Sequence, residues 1–594
     1  MTSQARDVAS HRLATLVVAA TAVLVAATDT YVVVLALPDM MAGVGLGIDE
    51  LQKAAPIVTV FLLGYVAMLP LLGKLSDFYG RVPLLLVLIA VFTVGSVLTA
   101  IATDLSAMIA GRFLQGVGGG GLVPVTLAFV ADRWDERRRG VPLGAVGAVQ
   151  ELGAVLGPLL GAAVLALADW RAIFWLNAAA GLVLAVVLRT VSGTERDGGG
   201  TDDETGPGRR RMLDRVRSDP FGTMLLVALV VLLGAALVRP AAWRSDVTWG
   251  WLVVPTIDED LPGAVLSSPV WLLALLAAVA FVMWEVRVAR PLVDLPEVWR
   301  GLVRADVVGG LLIAASLGAV IAMFATADPS EQVLSDSWPT WLGVSLVATA
   351  GLVWRQRRAA APLVPRGSLS ARQAWGALAV SFFLGAALVI VLVDVPVFSR
   401  TVAGGGSQWE AAALLLRFLV GLPIGALVGG LLLRRFPPAP LSVLGLGAAA
   451  AGLLAMSGWD ASSVAGPGDD VVLLVTGLGF GVAVAPVNAA LLAVVDAGVH
   501  GLGSAMLVVF RMVGMLVGLS ALTAIGLRRL SDAVESLPPP TDLCPDRPLA
   551  CPEFAELLGE TALTQVQTTF LGAALCAATA AVLSLVLLRR PASA

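Results

Sequence analysis

The sequence predicts an all-α polytopic membrane protein. Three observations carry that expectation. The 594 residues are 58% hydrophobic and only 14% charged, with a mean hydropathy of +0.89; a soluble domain is nearer ~25% charged. The apolar residues gather in blocks of about 18–25, the length that spans a bilayer as a helix. Positive charge, finally, concentrates in alternate connections between those blocks.

The blocks fall, in order, near 14–37, 54–72, 82–102, 106–130, 141–166 and 172–190, then 221–238, 269–286, 305–326 and 338–354, then 373–395, 411–433, 440–457, 470–495, 503–527 and 562–588. The first follows Arg6, His11 and Arg12 like a signal peptide. Its apolar run is too long for one and further spans follow, so it reads as a retained helix. With the N-terminus in the cytoplasm, the inward connections carry Lys74 and Arg81, Arg133 and Arg137–Arg139, Arg209–Arg211, Arg287, Arg290 and Arg300, Arg355, Arg357 and Arg358, and Arg434 and Arg435. Outward connections are mainly acidic or neutral, Asp258–Asp260, Asp328, Glu331, Asp469 and Asp470 among them. Arg239, Arg244, Arg400, Arg528 and Arg529 run against this bias, which still favours a multi-pass protein of the plasma (inner) membrane with both termini cytoplasmic. Cys544 and Cys551 then share an outward Pro-rich loop, where a disulfide is expected and two free thiols are the alternative.

Four regions follow: an N-terminal six-helix bundle at 1–190, a cytoplasmic linker at 191–219, four inserted helices at 220–370, and a C-terminal six-helix bundle at 371–594. The linker is Gly-rich and acidic, then Arg-rich, a composition that buries no core. Two loose repeats support the division. Gly73-Lys-Leu-Ser-Asp-Phe-Tyr-Gly-Arg-Val-Pro-Leu matches Gly430-Leu-Leu-Leu-Arg-Arg-Phe-Pro-Pro-Ala-Pro-Leu, each after the second helix of a bundle. Trp284-Glu-Val-Arg-Val-Ala-Arg-Pro-Leu-Val echoes Trp354-Arg-Gln-Arg-Arg-Ala-Ala-Ala-Pro-Leu-Val, so the inserted helices read as a duplicated pair.

The run Gly73-Lys-Leu-Ser-Asp77-Phe-Tyr-Gly80-Arg81 sits between two apolar blocks, and its three charges belong in a tight loop at the membrane surface. Its spacing resembles the signature loop between helices 2 and 3 of the major facilitator superfamily. Arg112-Phe-Leu-Gln-Gly in span 4 is similar to that superfamily's Arg-x-x-Gln-Gly. Gly144, Gly153, Gly157-Pro158 and Gly161 in span 5 resemble its antiporter motif, with Ala162 in the last place. Asp29-Thr-Tyr-Val-Val-Val-Leu-Ala-Leu-Pro, together with Trp170-Arg171, Phe174 and Asn177, resembles the fourteen-helix drug:proton antiporters, although Val34 stands where those usually have Asn. The likeness implies a major facilitator fold of two six-helix bundles, here with about four inserted helices and about 16 transmembrane helices in all. It also implies that Asp77, Arg81 and Asp132 latch the cytoplasmic side in one state, with Gly73 and Gly80 permitting the turn. The second half departs from the pattern, with Arg434 at the acidic position.

Gly153, Gly157 and Gly161 recur every fourth residue and leave a groove for another helix. Pro124, Pro158, Pro396, Pro423 and Pro486 remove helix hydrogen bonds and bend the chain. Fifteen Trp against three Tyr fit interface anchoring. Gly116-x-Gly-x-x-Gly sits inside an apolar span with no strand before it, which excludes a dinucleotide site. The only lysines, Lys53 and Lys74, lie outside any phosphate-binding loop, which argues against a nucleotide-driven pump.

Ionisable groups within spans are costly and mark function. They are Asp29, Arg112, Glu151, Asp394, Arg417 and Arg511. Asp29, Arg112, Glu151 and Asp394 are the proton-coupling candidates, with Asp29 or Glu151 switching a pairing with Arg112 and Asp394 pairing with Arg417. Arg417, Pro486, Asn488 and Arg511 are the cavity candidates. No nucleophile–base set or metal cluster is evident, so no enzyme and no cofactor is expected. The reading is a monomeric, proton-coupled transporter that exports hydrophobic or amphiphilic small molecules by alternating access. Membrane lipids, the substrate and protons are its partners, and nucleic acid is not. A lipid transporter of the cell envelope is the alternative, and a non-transporting membrane scaffold or sensor a second.

Overall fold

The protein is described here from a computed structural model. The structure describes residues 3–46, 51–136, 138–194, 219–238, 269–288, 306–325, 337–359, 362–364, 369–402, 408–460, 467–539 and 552–589, with isolated positions between them. The described residues are helical throughout, without strands. The first bundle holds α1 (Ser3–Gly43), α2 (Leu51–Ala67), α3 (Leu69–Tyr79), α4 (Arg81–Ile101), α5 (Leu105–Arg133), α6 (Gly140–Leu167) and α7 (Arg171–Thr194). Four inserted helices follow: α8 (Pro220–Val238), α9 (Pro269–Arg287), α10 (Val307–Ala325) and α11 (Trp338–Arg358). The second bundle holds α12 (Arg372–Val402), α13 (Gln408–Leu432), α14 (Pro438–Met456), α15 (Pro467–Leu492), α16 (His500–Glu535) and α17 (Pro552–Leu587).

Among the described residues, eleven helices are long and apolar enough to cross a membrane, and α2 with α3 makes a twelfth, bent by 42°. The bend lies at Met68, because Pro70 just beyond it offers no N–H to the preceding turn. The sequence reads about four more crossings. All four inserted segments are helical, but none is among those twelve; Pro220–Gly234 and Val307–Val320 are shorter apolar stretches. Pro38, Pro124, Pro396, Pro423 and Pro486 all lie inside helices.

One expectation is corrected. Residues 73–79 are not loop but the last turns of α3, and the whole reversal into α4 falls on Gly80, at φ +89°. A left-handed residue needs no Cβ, so one glycine suffices where a loop was expected. The expected disulfide of Cys544 and Cys551, and nearly all of the 191–219 linker, lie outside the described residues. Cys576 is a half-buried free thiol.

The two inserted hairpins share their joinery. Asp219 precedes α8 and accepts from Gly222 N at 2.8 Å; Asp306 precedes α10 and accepts from Gly309 N at 3.1 Å. The second helix of each pair returns to that carboxylate. Trp284 Nε1 donates to Asp219 at 2.8 Å, and Arg355 Nε donates to Asp306 at 2.5 Å. Leu363 N, in the repeated Pro-Leu-Val, also donates to Asp306 at 2.9 Å. The hairpin α10–α11 is fastened to the first bundle, with Gly310 of α10 against Leu71 and Gly318 against Leu63.

Three buried clusters make the core. One fills the second bundle and takes in Val155 of α6, with Tyr31 and Leu152 of the first bundle packed against it. Another fills the first bundle from Leu16 to Leu188 and takes in Ala489, Leu492, Ala505, Val508 and Val509 of the second. The third, from Val32 to Phe174, is built from the first bundle alone and fills its opposite end. The bundles are therefore joined at the end that carries Asp77, while at the other end the first bundle's core stands apart from the second.

Candidate functional site

Asp29 sits in the middle of α1 with no exposed surface. Burying a carboxylate there requires donors, and the fold supplies three from two neighbouring helices. Arg112 Nη1 of α5 donates to Oδ2 at 2.7 Å. Gln115 Nε2, one turn on, donates to Oδ1 at 3.3 Å, and Asn177 Nδ2 of α7 donates to it at 2.6 Å. Arg112 is itself buried, donates through Nη1 to Gln115 Oε1 at 2.9 Å, and lies 4.1 Å above the ring of Phe61. Gln115 Nε2 also donates to Ser96 Oγ at 3.0 Å. The expected Asp29–Arg112 pair is present; Gln115, Ser96 and Asn177 complete a network that charge alone did not reveal.

Glu151 of α6 is also buried, but its partner is Arg511 of α16, 3.7 Å away, and not Arg112. This corrects the expected pairing, and the reason is topological: α6 lines the contact between bundles, so its inward carboxylate meets the second bundle. The ion pair thus crosses between the halves.

Asp394 does not pair with Arg417. It is buried in α12 and its Oδ2 has no hydrogen-bond partner, while the hydroxyl of nearby Thr569 in α17 donates to Val566 O at 2.8 Å. Arg417 instead pairs with Asp470 at the start of α15, both side chains nearly half exposed. Its position along α13 brings it to that helix start, away from the interior. Asn488 is buried, yet its Nδ2 donates to Val484 O of its own helix at 2.9 Å, so it braces the backbone beside Pro486.

The glycines of α6 divide their work. A Cβ on Gly153 would meet Thr28 N at 2.9 Å, and one on Gly157 would meet Thr28 O at 2.8 Å, so these two seat α6 on α1. A Cβ on Gly144 would meet Ala426 O at 2.6 Å, which seats α6 on α13 of the other bundle. Gly161 is buried in the same helix, which continues through Pro158.

At the joined end, Asp77 accepts from Gly501 N at 2.9 Å and Leu502 N at 3.2 Å. These are the unsatisfied first amides of α16, where the helix dipole favours an anion. Arg81 Nη1 pairs with Asp77 at 2.5 Å and Arg81 Nε with Asp132 Oδ2 at 2.8 Å. His500 Nδ1 lies 2.9 Å from Asp132 Oδ1. Gly73 lets α3 touch α16, since a Cβ there would lie 2.5 Å from Gly501 O. The expected Asp77–Arg81–Asp132 network is present, and the second bundle contributes His500 to it.

Two bundles, a buried charge network in one and a polar clasp across their junction form a recognisable set. Residues 19–354 match the family model of the Major Facilitator Superfamily. The chain belongs to that superfamily. A triacylglyceride transporter of Mycolicibacterium smegmatis is 35% identical over 528 residues, 87% of this chain and 76% of that protein. One from Mycobacterium tuberculosis (strain H37Rv) is 34% identical over 531 residues, 87% and 83% of the two chains. Among solved structures, the proton:xylose symporter XylE covers 97% of this chain and 95% of its own, with a TM-score of 0.52 and 13% identity. The human organic anion transporter MFSD10 covers 95% and 99%, with a TM-score of 0.51 and 13% identity. At that identity the likeness concerns the fold alone. The chain is a multi-pass major facilitator transporter and not an enzyme.

Proposed function

We propose that this transporter exports neutral, multi-acyl lipids of the triacylglycerol class across the plasma membrane by alternating access, coupled to proton entry. The observation that carries the substrate class is the likeness to mycobacterial triacylglyceride transporters along 87% of the chain. The reading favours a lipid over the drug-like amphiphile expected first, because those relatives match both bundles and the inserted region. A substrate without charge also suits an interior in which buried Asp29 is paired with Arg112 and buried Glu151 with Arg511.

Orientation rests on the Arg-rich connections, which put both termini and the Asp77 clasp at the cytoplasmic face. The clasp is closed in this structure, and at the opposite end the first bundle's core packs without second-bundle residues, which favours the outward-facing state of the cycle. Proton coupling is assigned to Asp29 and Glu151. A proton on Asp29 frees Arg112, and a proton on Glu151 releases its ion pair with Arg511 of the other bundle. The resemblance to drug:proton antiporters supports this coupling.

The test is transfer of fluorescent triacylglycerol between purified protein in donor liposomes and an acceptor phase, with and without a pH gradient. Gradient-dependent transfer supports the reading. Export of a cationic dye without any triacylglycerol movement would favour the second reading, drug efflux, for which the antiporter-like glycines of α6 speak.

A further inference from the structure

We propose that Arg139 is a second latch of the cytoplasmic gate, opposite in polarity to Asp77, and that the two grip both ends of the α15–α16 corner. The proposal rests on the alternating-access reading above and extends it to a residue outside the superfamily-like loop.

The bundles meet at the gate through two related glycine contacts. Gly73 at the end of the second span touches Gly501 at the start of α16. Gly430, its counterpart in the second bundle, touches Gly140 at the start of α6; a Cβ on Gly430 would lie 2.5 Å from Gly140 O, and one on Gly140 2.7 Å from Gly430 O. At the first contact Asp77, four residues after Gly73, reaches the amides of α16. At the second contact the residue four after Gly430 is Arg434, which is exposed. A cation has the wrong sign for a helix N-terminus, so this contact lacks the anionic hook of the first.

The first bundle supplies a different hook. Arg139, beside Gly140, is only 6% exposed. Its Nη2 donates to Ala489 O at 3.1 Å and its Nη1 to Leu492 O at 3.3 Å. Both carbonyls belong to the last turn of α15, the negative end of that helix dipole. An anion from α3 therefore holds the N-terminus of α16, and a cation from the start of α6 holds the C-terminus of α15. Residues 493–499 join those two helix ends, so the first bundle pinches one corner of the second from both sides. Opening the cytoplasmic side separates α6 from α15 and must break both Arg139 bonds. The guanidinium keeps its charge at any physiological pH, so this hold does not itself depend on protonation.

Hydrogen–deuterium exchange on the full chain in lipid nanodiscs tests the latch. Arg139→Gln should speed exchange of amides in 493–502 on the order of tenfold and slow exchange at the far ends of α1 and α12, as the outward face closes. Arg139→Lys, which keeps the charge, should restore much of the protection. Asp77→Asn serves as the reference latch and should give the same reciprocal pattern. If Asp77→Asn shows it and Arg139→Gln leaves 493–502 as protected as in the parent, Arg139 is not a latch. Faster exchange in Arg139→Gln without reciprocal slowing at the far end would also overturn the proposal, since a merely structural role predicts that. No change in either variant would overturn the alternating-access reading at this end together with the latch.

Discussion

A carboxylate enclosed by a helix bundle keeps its charge only when donors replace water, and Asp29 has three. Asp29→Asn preserves shape and removes the charge that faces Arg112. The expected result in proteoliposomes is loss of pH-gradient-driven transport with the protein still monodisperse; undiminished gradient-driven flux would remove Asp29 from the coupling step. His500 offers a second test. His500→Ala strips Asp132 of its partner from the second bundle while leaving the Arg81 pair in place. The gate should loosen less than in Asp77→Asn, as read by exchange at Gly501 and Leu502. Charged residues in apolar runs were legible from sequence because they are conspicuous there. Their partners were less so. Asp29 with Arg112 followed from adjacency of helices, but the pairings of Glu151 and Arg417 depend on which face of α6 and where along α13 they fall, and neither is encoded in a hydrophobic run. Gln115 and Asn177 carry no charge and did not stand out as partners.

Among elements, the 73–81 segment was right in kind and wrong in form. Its charges were expected in a loop; they lie at the end of a helix that reverses on Gly80. A helical Asp77 is aimed by its turn, which is why it can reach two consecutive amides of α16. The glycines at the junctions make a direct prediction. Gly140→Val puts a side chain against Gly430 O and Leu433, which costs the closed gate about 1–3 kcal/mol. Faster exchange at 493–502 with reduced transport is the expected outcome, and unchanged protection would show that α6 and α13 do not need this contact to close. The inserted hairpins carry a separate expectation. Asp306→Ala removes the acceptor for Gly309, Arg355 and Leu363 together. Loss of the cap alone costs about 1–2 kcal/mol, and a lowered thermal midpoint is expected with the two main bundles intact. The likeness of the two hairpins was visible in sequence through Trp-x-x-Arg and Pro-Leu-Val; the carboxylates that tie each hairpin were not, because a lone Asp before an apolar run has many uses.

For the whole molecule, composition and block length were enough for an all-helical membrane protein, and four short motifs were enough for the superfamily. The conformational state was not legible, because it depends on which end of the two bundles is in contact. Core residues of both bundles merge at the Asp77 end, whereas the opposite end of the first bundle packs on its own. Substrate class was not legible either, since an apolar interior accepts drugs and lipids alike; the proposal of a lipid leans on likeness to named relatives. The most direct measurement of the central claim is transfer of fluorescent triacylglycerol from proteoliposomes carrying the parent protein or Asp29→Asn, under an imposed pH gradient. The account predicts gradient-dependent transfer by the parent and none by the variant. Transfer that ignores the gradient, or export of a cationic dye with triacylglycerol left in place, would contradict it.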